Sequence, residues 1–366
     1  MGVEEEFFVV DPVNRTLVPT GLPAMELLRV QESATEYYGF DHEYQLSIVE
    51  TRTGICRDLG ELRDQLGALR ASLDRAAAAS ALTVMAAGTM PTTGWRDLPI
   101  TPKARYADIL EHYQDVVQRR ATCGCHVHVG IEDRELAVQV LNRVGPWLPV
   151  LLALSSSSPF YEGAYTGYQS YRTMLWSGFP VAGPPPIHAS HQEYADRIRL
   201  LMDSGTILDT GHIYWDARLG TRSRTLEFRV ADVCPTIDDT ILQAALSRAL
   251  VATCIEEIAH DRPPLLALPG LARAAMWRAA RSGLDGLLID PATAEAIPAL
   301  AMVDRLLTHV RDALEQAGDW KEVLDLVERV RHRGTSARRQ RETLARSGHL
   351  AAVVDHLSAE TTQTSS

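Results

Sequence analysis

Several carboxylates and imidazoles sit inside segments that read as β-strands, where charge is costly to bury. In the run Gly2-Val3-Glu4-Glu5-Glu6-Phe7-Phe8, the two-residue period of a strand sends Glu4 and Glu6 to one face with Phe8, and Glu5 to the other with Phe7. Two carboxylates on one buried face repel and need a cation, for which a hard divalent ion with oxygen ligands is the economical answer. A solvated edge strand with a negative stripe accounts for this motif equally well. A second run, Glu43 to Gly54 (EYQLSIVETRTG), aligns Glu50 and Arg52 with Leu46 and Ile48 and leaves Gln45 and Ser47 opposite. One side against a core and one against a site would explain it, and so would an exposed edge strand. Strict alternation separates Glu43 from Glu50 unless a bulge intervenes.

Cys123-Gly124-Cys125-His126-Val127-His128-Val129-Gly130 is a short H-x-H strand whose imidazoles point the same way, with glycines that leave room for a ligand. Paired core histidines, or the H-x-H of a zinc hydrolase, share that pattern. Finally, Leu226-Glu227-Phe228-Arg229-Val230-Ala231-Asp232 places Glu227 and Arg229 on one strand face. They form either a structural ion pair or a metal ligand beside a guanidinium that stabilises a transferring phosphoryl group. Four costly placements share one cause if together they build a metal-nucleotide site.

The elements that must position these residues are strands at 2–10, 43–53, 82–87, 125–131, 212–218 and 224–231. Helices are predicted over 58–78, with Asp58 as N-cap, and over 103–120, 237–260 and 295–331. A long apolar helix is predicted over 134–154, kinked or restarted by Pro146 and Pro149. Without regular βαβ alternation, this pattern favours an α+β fold on a mainly antiparallel sheet. The segment 155–186 is too long for a mere connector. Its Tyr161, Tyr165, Tyr168, Tyr171 and Arg172 suit recognition of a small zwitterion, although packed surface tyrosines would use the same residues. One catalytic domain is expected over 1–355, with a frayed polar tail over 356–366.

At 366 residues and 46% hydrophobic content, the chain can bury a substantial core. A formal charge of -11 argues against nucleic acid as a partner. Lys103 and Lys321 are the only lysines, so an anionic substrate must be held by arginine or metal. No GxxxxGK[ST] motif occurs, which excludes a P-loop. The N-terminus does not read as a signal peptide, no membrane-spanning run is evident, and five cysteines form no CxxC pair. A cytoplasmic protein with reduced thiols is expected.

GVEEEFFVVD, CGCHVHVG, SSSSPFYEGAYTGYQSYR and LEFRVADVCPTIDD, in this order and with RRQR at 338–341, resemble the glutamate-cysteine ligase type 2 family of carboxylate-amine ligases. That family shares a superfamily with glutamine synthetase, so the resemblance implies a curved, mainly antiparallel funnel flanked by helices and lined by glutamates around two or three magnesium ions, with manganese an acceptable substitute. It implies metal ligands at Glu4, Glu6, Glu50, His126 and Glu227, with Glu43 a further acidic ligand. His128 falls to a nucleotide contact and Arg229 to the ATP phosphates, with Arg229 and Glu50 catalytic. Arg172 becomes a clamp for the substrate carboxylate, with Tyr168 and Gln45 as further substrate contacts and the arginines at 338, 339 and 341 as alternative clamps. The sequence departs from the family at EYQLSIVETRTG, where a more polar stretch followed by Thr-Pro is expected.

The implied reaction is ATP-dependent amide formation through an acyl phosphate, with release of ADP and phosphate. The substrates would be glutamate plus cysteine or another pair of small-molecule acid and amine, including a non-glutamate acid of specialised metabolism. No nucleic acid or membrane partner is expected, and a homodimer is. A zinc-dependent hydrolase and a catalytically silent binding protein are the rivals; magnesium-dependent ADP release separates the ligase from both.

Overall fold

The computed structural model describes residues 1–20, 22, 38–93, 98–118, 120–221, 223–265 and 270–363. Its organising element is β1 (Gly2–Asp11), buried without interruption from Glu5 to Val10. Around it lie β2 (Thr16–Leu17), β3 (Gly39–His42), β4 (Ile48–Arg52), β5 (Thr83–Met85), β6 (Gly124–Gly130), β7 (Ala217–Leu219) and β8 (Thr225–Asp232). The spatial order is β7-β8-β6-β1-β4-β3, with β2 and β5 on the far end of β1. All these pairings are antiparallel, and the α+β architecture expected from the sequence is the one observed.

On one side, β1 pairs with β6 only as far as Glu5↔Cys125, and with β5 only from Phe8↔Met85 onward. The sheet therefore parts beside Glu6. Curvature is reinforced in β8, whose register against β6 shifts between Phe228 and Ala231, as a bulge does.

Helices cover the back. In α1 (Leu59–Ala79) the Asp58 side chain accepts from the Glu61 amide, the cap read from the sequence. Leu62, Leu66, Leu69 and Leu73 are fully buried along one stripe, at the spacing that sets an apolar helix face. The apolar run 134–154 forms α2 (Arg134–Val144) and α3 (Leu148–Ser155), joined by a 3-10 turn at Gly145–Trp147 that contains Pro146. By length and composition it could cross a membrane, but α3 is buried throughout in the main core. With α4 (Ile237–Ala259) it packs against the sheet.

Four expectations are corrected. The strand at 43–53 shortens to Ile48–Arg52, because Glu43 and Gln45 enter a turn in which the Glu43 amide donates to Ile48 O and the Ile48 amide to Gln45 O. The helix at 103–120 is two pieces, Ala104–Tyr113 and Asp115–Gln118, broken at Gln114, whose φ is 49. The helix at 295–331 is interrupted at Gly318, whose φ of 78 is open to glycine at no steric cost. The tail is helical from Leu350 to Thr362, because Leu357 joins a core cluster and Thr361 Oγ1 accepts from the Ala86 amide; residues 364–366 lie outside the described residues.

Candidate active site

Cross-strand register assembles the site. Glu6 faces Glu50 across β1 and β4, Glu4 faces His126 across β1 and β6, and His128 faces Glu227 across β6 and β8. Glu43 joins them through the turn that ends its strand character, which cancels the alternation that would have sent it to the opposite face. Two ligand sets result: atoms of Glu4, His128 and Glu227, and atoms of Glu6, Glu43 and Glu50, each lie within 4.8 Å of one another. His126 stands beside the first set, its Nδ1 3.2 Å from Glu4 Oε2. His128 Nε2 lies 3.5 Å from Glu4 Oε1, and its Nδ1 is 3.1 Å from Thr225 Oγ1.

The two sets differ in charge compensation. Burial raises the Glu4 carboxyl, but hydrogen bonds from His126 and His128 outweigh it and hold the group well below the usual carboxylate range. Glu227 is also held low against burial, by Arg218 and Arg229. Arg218 Nε donates to its Oε2 at 2.7 Å, and Arg229 Nη1 donates to its Oε1. The second set has little such relief. Burial and the Glu43 charge push Glu6 up to about 7, against a Gly124 amide that donates to its Oε2 at 2.6 Å. Burial and the charges of Glu4 and Glu43 push Glu50 well above its ordinary value; Arg52 Nε is 3.5 Å away.

These residues fit divalent cations. Clustered carboxylates that hold each other's protons gain most from an added positive charge, and an oxygen-rich set suits magnesium or manganese. Among the described residues, His126 Nε2 is buried without a hydrogen-bond partner and His128 Nε2 meets only Glu4, at 3.5 Å, leaving ring nitrogens available to a ligand. Burial, with the charge of Arg229, lowers His126 to about 4, so that ring is neutral near pH 7.

The long loop is anchored by Asp232. Ser158 Oγ and Ser170 Oγ donate to this buried carboxylate at 2.7 and 2.8 Å, as does the Ser157 amide at 2.9 Å. The short helix Tyr171–Trp176 follows, and its Arg172 is 4% exposed with Nη2 3.4 Å from Arg229 O. Gly124 leaves room for this guanidinium: a Cβ on it would stand 2.3 Å from Arg172 Nη2 and displace it. Arg172 and Arg229 also line a cavity of about 560 Å³ that continues the site.

Two expected contacts fall elsewhere among the described residues. Tyr168 does not line this cavity: its hydroxyl accepts from Trp277 Nε1 at 3.2 Å and its ring lies beneath Arg281, so it supports the wall. Gln45 is buried in the turn with Oε1 unpartnered, its backbone bridged to Ile100. The alternative clamps are spent on ion pairs, Arg338 and Arg341 with Asp285 and Arg339 with Glu360 and Asp239.

Sequence reasoning missed Arg218, Asp216 and Arg120. Arg218 sits in a three-residue strand too short to show periodicity. Asp216 was detectable as an acid in the otherwise apolar run Ile213–Ala217. Arg120 was read as a helix end; its guanidinium stacks on Trp176 and Phe179, 3.5 and 4.1 Å from the ring centroids.

A family model described as glutamate-cysteine ligase family 2 matches residues 1–356. A provisionally named glutamate–cysteine ligase 2 from Salinispora tropica is 42% identical over 363 residues, covering 99% of this chain and 94% of the relative. Another from Frankia casuarinae, provisionally named glutamate–cysteine ligase 2-2, is 44% identical over 363 residues, 99% of this chain but only 41% of that protein. Among solved structures, glutamate–cysteine ligase from Francisella tularensis in complex with AMP superposes with a TM-score of 0.72 at 13% identity, covering 99% of this chain and 88% of the other. At that identity the likeness speaks for the fold alone.

Proposed function

The chain belongs to glutamate-cysteine ligase family 2, and from that premise we propose that it is an ATP-dependent carboxylate–amine ligase working with magnesium in the cytoplasm. The observation that carries the reading is the pair of ligand sets on either side of β1, one neutralised by histidines and arginines and one left with excess negative charge. Five buried free thiols agree with a reducing compartment.

Glu4, His128 and Glu227 would hold one magnesium ion, and Glu6, Glu43 and Glu50 another; His126 orients Glu4. Bound magnesium neutralises the ATP phosphates. Arg229, tethered by Glu227 at the border of the cavity, faces the transferring phosphoryl group. Arg172 clamps a carboxylate of the acid substrate. The acid attacks the terminal phosphoryl group, ADP leaves, and the amine displaces phosphate from the acyl phosphate. No side chain need act as nucleophile, which agrees with the burial of every cysteine. The test is ADP release across a panel of acids and amines with magnesium. Turnover that needs all of ATP, acid and amine supports the reading, whereas zinc-dependent hydrolysis without nucleotide would replace it.

A further inference from the structure

The cavity beyond Arg172 and Arg229 is far larger and more apolar than a short polar amino acid requires. Met174, Trp176, Phe179, Tyr214, Met276 and Trp277 contribute its walls. Trp176 is held from behind by the stacked Arg120 guanidinium, and Phe179 packs edge-on against Tyr214 with centroids 5.1 Å apart. These contacts fix the aromatic walls before any ligand arrives, so little ordering entropy is left to oppose binding.

One acid interrupts this lining. Asp216 borders the cavity, yet its side chain receives no hydrogen bond and forms no ion pair among the described residues, and Oδ2 is sealed from solvent. Its backbone is pinned on both sides, the amide donating to Gly183 O and the carbonyl accepting from the Arg229 amide, each at 2.8 Å. Such a carboxylate is costly unless a cation completes it. Burial pushes the Asp216 carboxyl up to about 7, against the lowering charges of Arg172 and Arg229, so a cation arriving beside it displaces a proton. With their charges taken up by the acid substrate and phosphate, a further cation at Asp216 is no longer repelled.

Resting on the ligase reading above, we infer that the amine substrate carries a bulky apolar or aromatic body, seated between Trp176, Phe179 and Met276, and that Asp216 holds its ammonium group and accepts one proton from it, leaving the neutral amine to attack the acyl phosphate while phosphate departs with the second proton. Cysteine would leave most of the chamber to water. Apolar contact of this kind discriminates by about ten- to a few hundredfold.

The test measures ADP release by the full chain with magnesium, ATP and a panel of acids. One amine series is bulky (phenylalanine, tryptophan, leucine, phenylethylamine) and the other small (cysteine, alanine, glycine). Calorimetry in parallel measures phenylethylamine binding to protein saturated with magnesium and a non-hydrolysable ATP analogue. The best bulky amine should exceed cysteine at least tenfold in kcat/KM. Ala274→Trp, which fills the chamber from an exposed helix position, should cut that preference at least tenfold. Asp216→Asn should weaken phenylethylamine binding at least tenfold with nucleotide affinity kept. Cysteine equal to or better than every bulky amine overturns this inference and leaves the ligase reading intact. If no pair releases ADP, the ligase reading falls, and calorimetry alone decides: Asp216-dependent phenylethylamine binding upholds the site and its absence removes it.

Discussion

The charge left on Glu6 makes the stability of the metal-free protein depend on pH in a calculable way. Burial and Glu43 raise this carboxyl from its ordinary 4.5 to about 7. The folded state therefore binds the proton more tightly than the unfolded chain. Its contribution is intact below pH 4.5 and is lost as pH rises through 7. At about 1.36 kcal/mol per tenfold change in proton affinity, the loss is about 3 kcal/mol. With ~2.1 cal/mol/K of unfolding entropy per residue, a 366-residue chain converts that into a fall of about 4 °C in Tm. Glu6→Gln keeps an oxygen for the Gly124 amide but carries no charge. Calorimetric scans from pH 5 to 8 in chelator should therefore show the variant gaining about 4 °C over wild type as pH rises, with magnesium closing the gap. Glu6 is one carboxyl of a close-packed acidic cluster, so the midpoint belongs to the cluster and not to Glu6 alone. A gap that stays constant with pH, or closes without added metal, refutes the reasoning.

Glu4→Gln, Glu50→Gln and Glu227→Gln should each slow ADP formation by about a hundredfold or more, with circular dichroism unchanged, as removal of a fixed charge at a phosphoryl-transfer site does. Arg229→Lys keeps charge but not the planar fork, and should lower kcat more than it raises the KM for ATP; a change in Tm alone would mark a purely structural ion pair with Glu227. Arg172→Ala should raise the KM for the acid about ten- to a hundredfold, with that for ATP little changed; equal losses for both would move the carboxylate clamp elsewhere. Glu5→Gln should destabilise the fold by about 3–5 kcal/mol in denaturant unfolding, because it strips the partner from buried Arg70.

Much of the site was legible because it rests on strand periodicity. Glu4 and Glu6 share a face, as do His126 and His128, and register then juxtaposes them with Glu50 and Glu227. What was not legible depends on departures from regularity. Glu43 reaches the cluster through a turn, and Arg172 is placed by serines around Asp232, which is distant in sequence; the pairing of Glu227 with Arg229, read from alternation, holds although Arg229 lies within the register shift of β8. The roles of the two histidines are not set by alternation either: both face the site, with Glu4 and Glu227 as register neighbours, but it is His128 and not His126 whose ring nitrogen falls within the first ligand set. Arg70 carried a readable signal, since it lies one turn from Leu66 on the buried stripe of α1, where a lone arginine demands a partner.

That arginine clarifies what the three N-terminal glutamates are for. Glu5 is fully buried on the helix-covered face, where Arg70 Nε and Nη2 grip it at 3.0 and 2.5 Å and Thr240 Oγ1 donates at 2.7 Å. Arg70 is in turn satisfied by the carbonyls of Cys234 and Pro235, so the chain leading into α4 is tied to the centre of β1. The charge on that face is compensated from within. On the opposite face, among the described residues, Glu6 is met by the Gly124 amide and Glu50 by the half-buried Arg52 at 3.5 Å, weaker compensation than the bidentate buried guanidinium that α1 delivers to Glu5. Adjacent residues of one strand thus meet opposite solutions to the same electrostatic problem. A buried ion pair gives rigidity at little net gain in stability, whereas a weakly compensated pair of carboxylates keeps its affinity for an external cation. The Glu5–Arg70 pair anchors β1 behind the site face, so loosening that pair should disturb Glu4 and Glu6 together rather than singly.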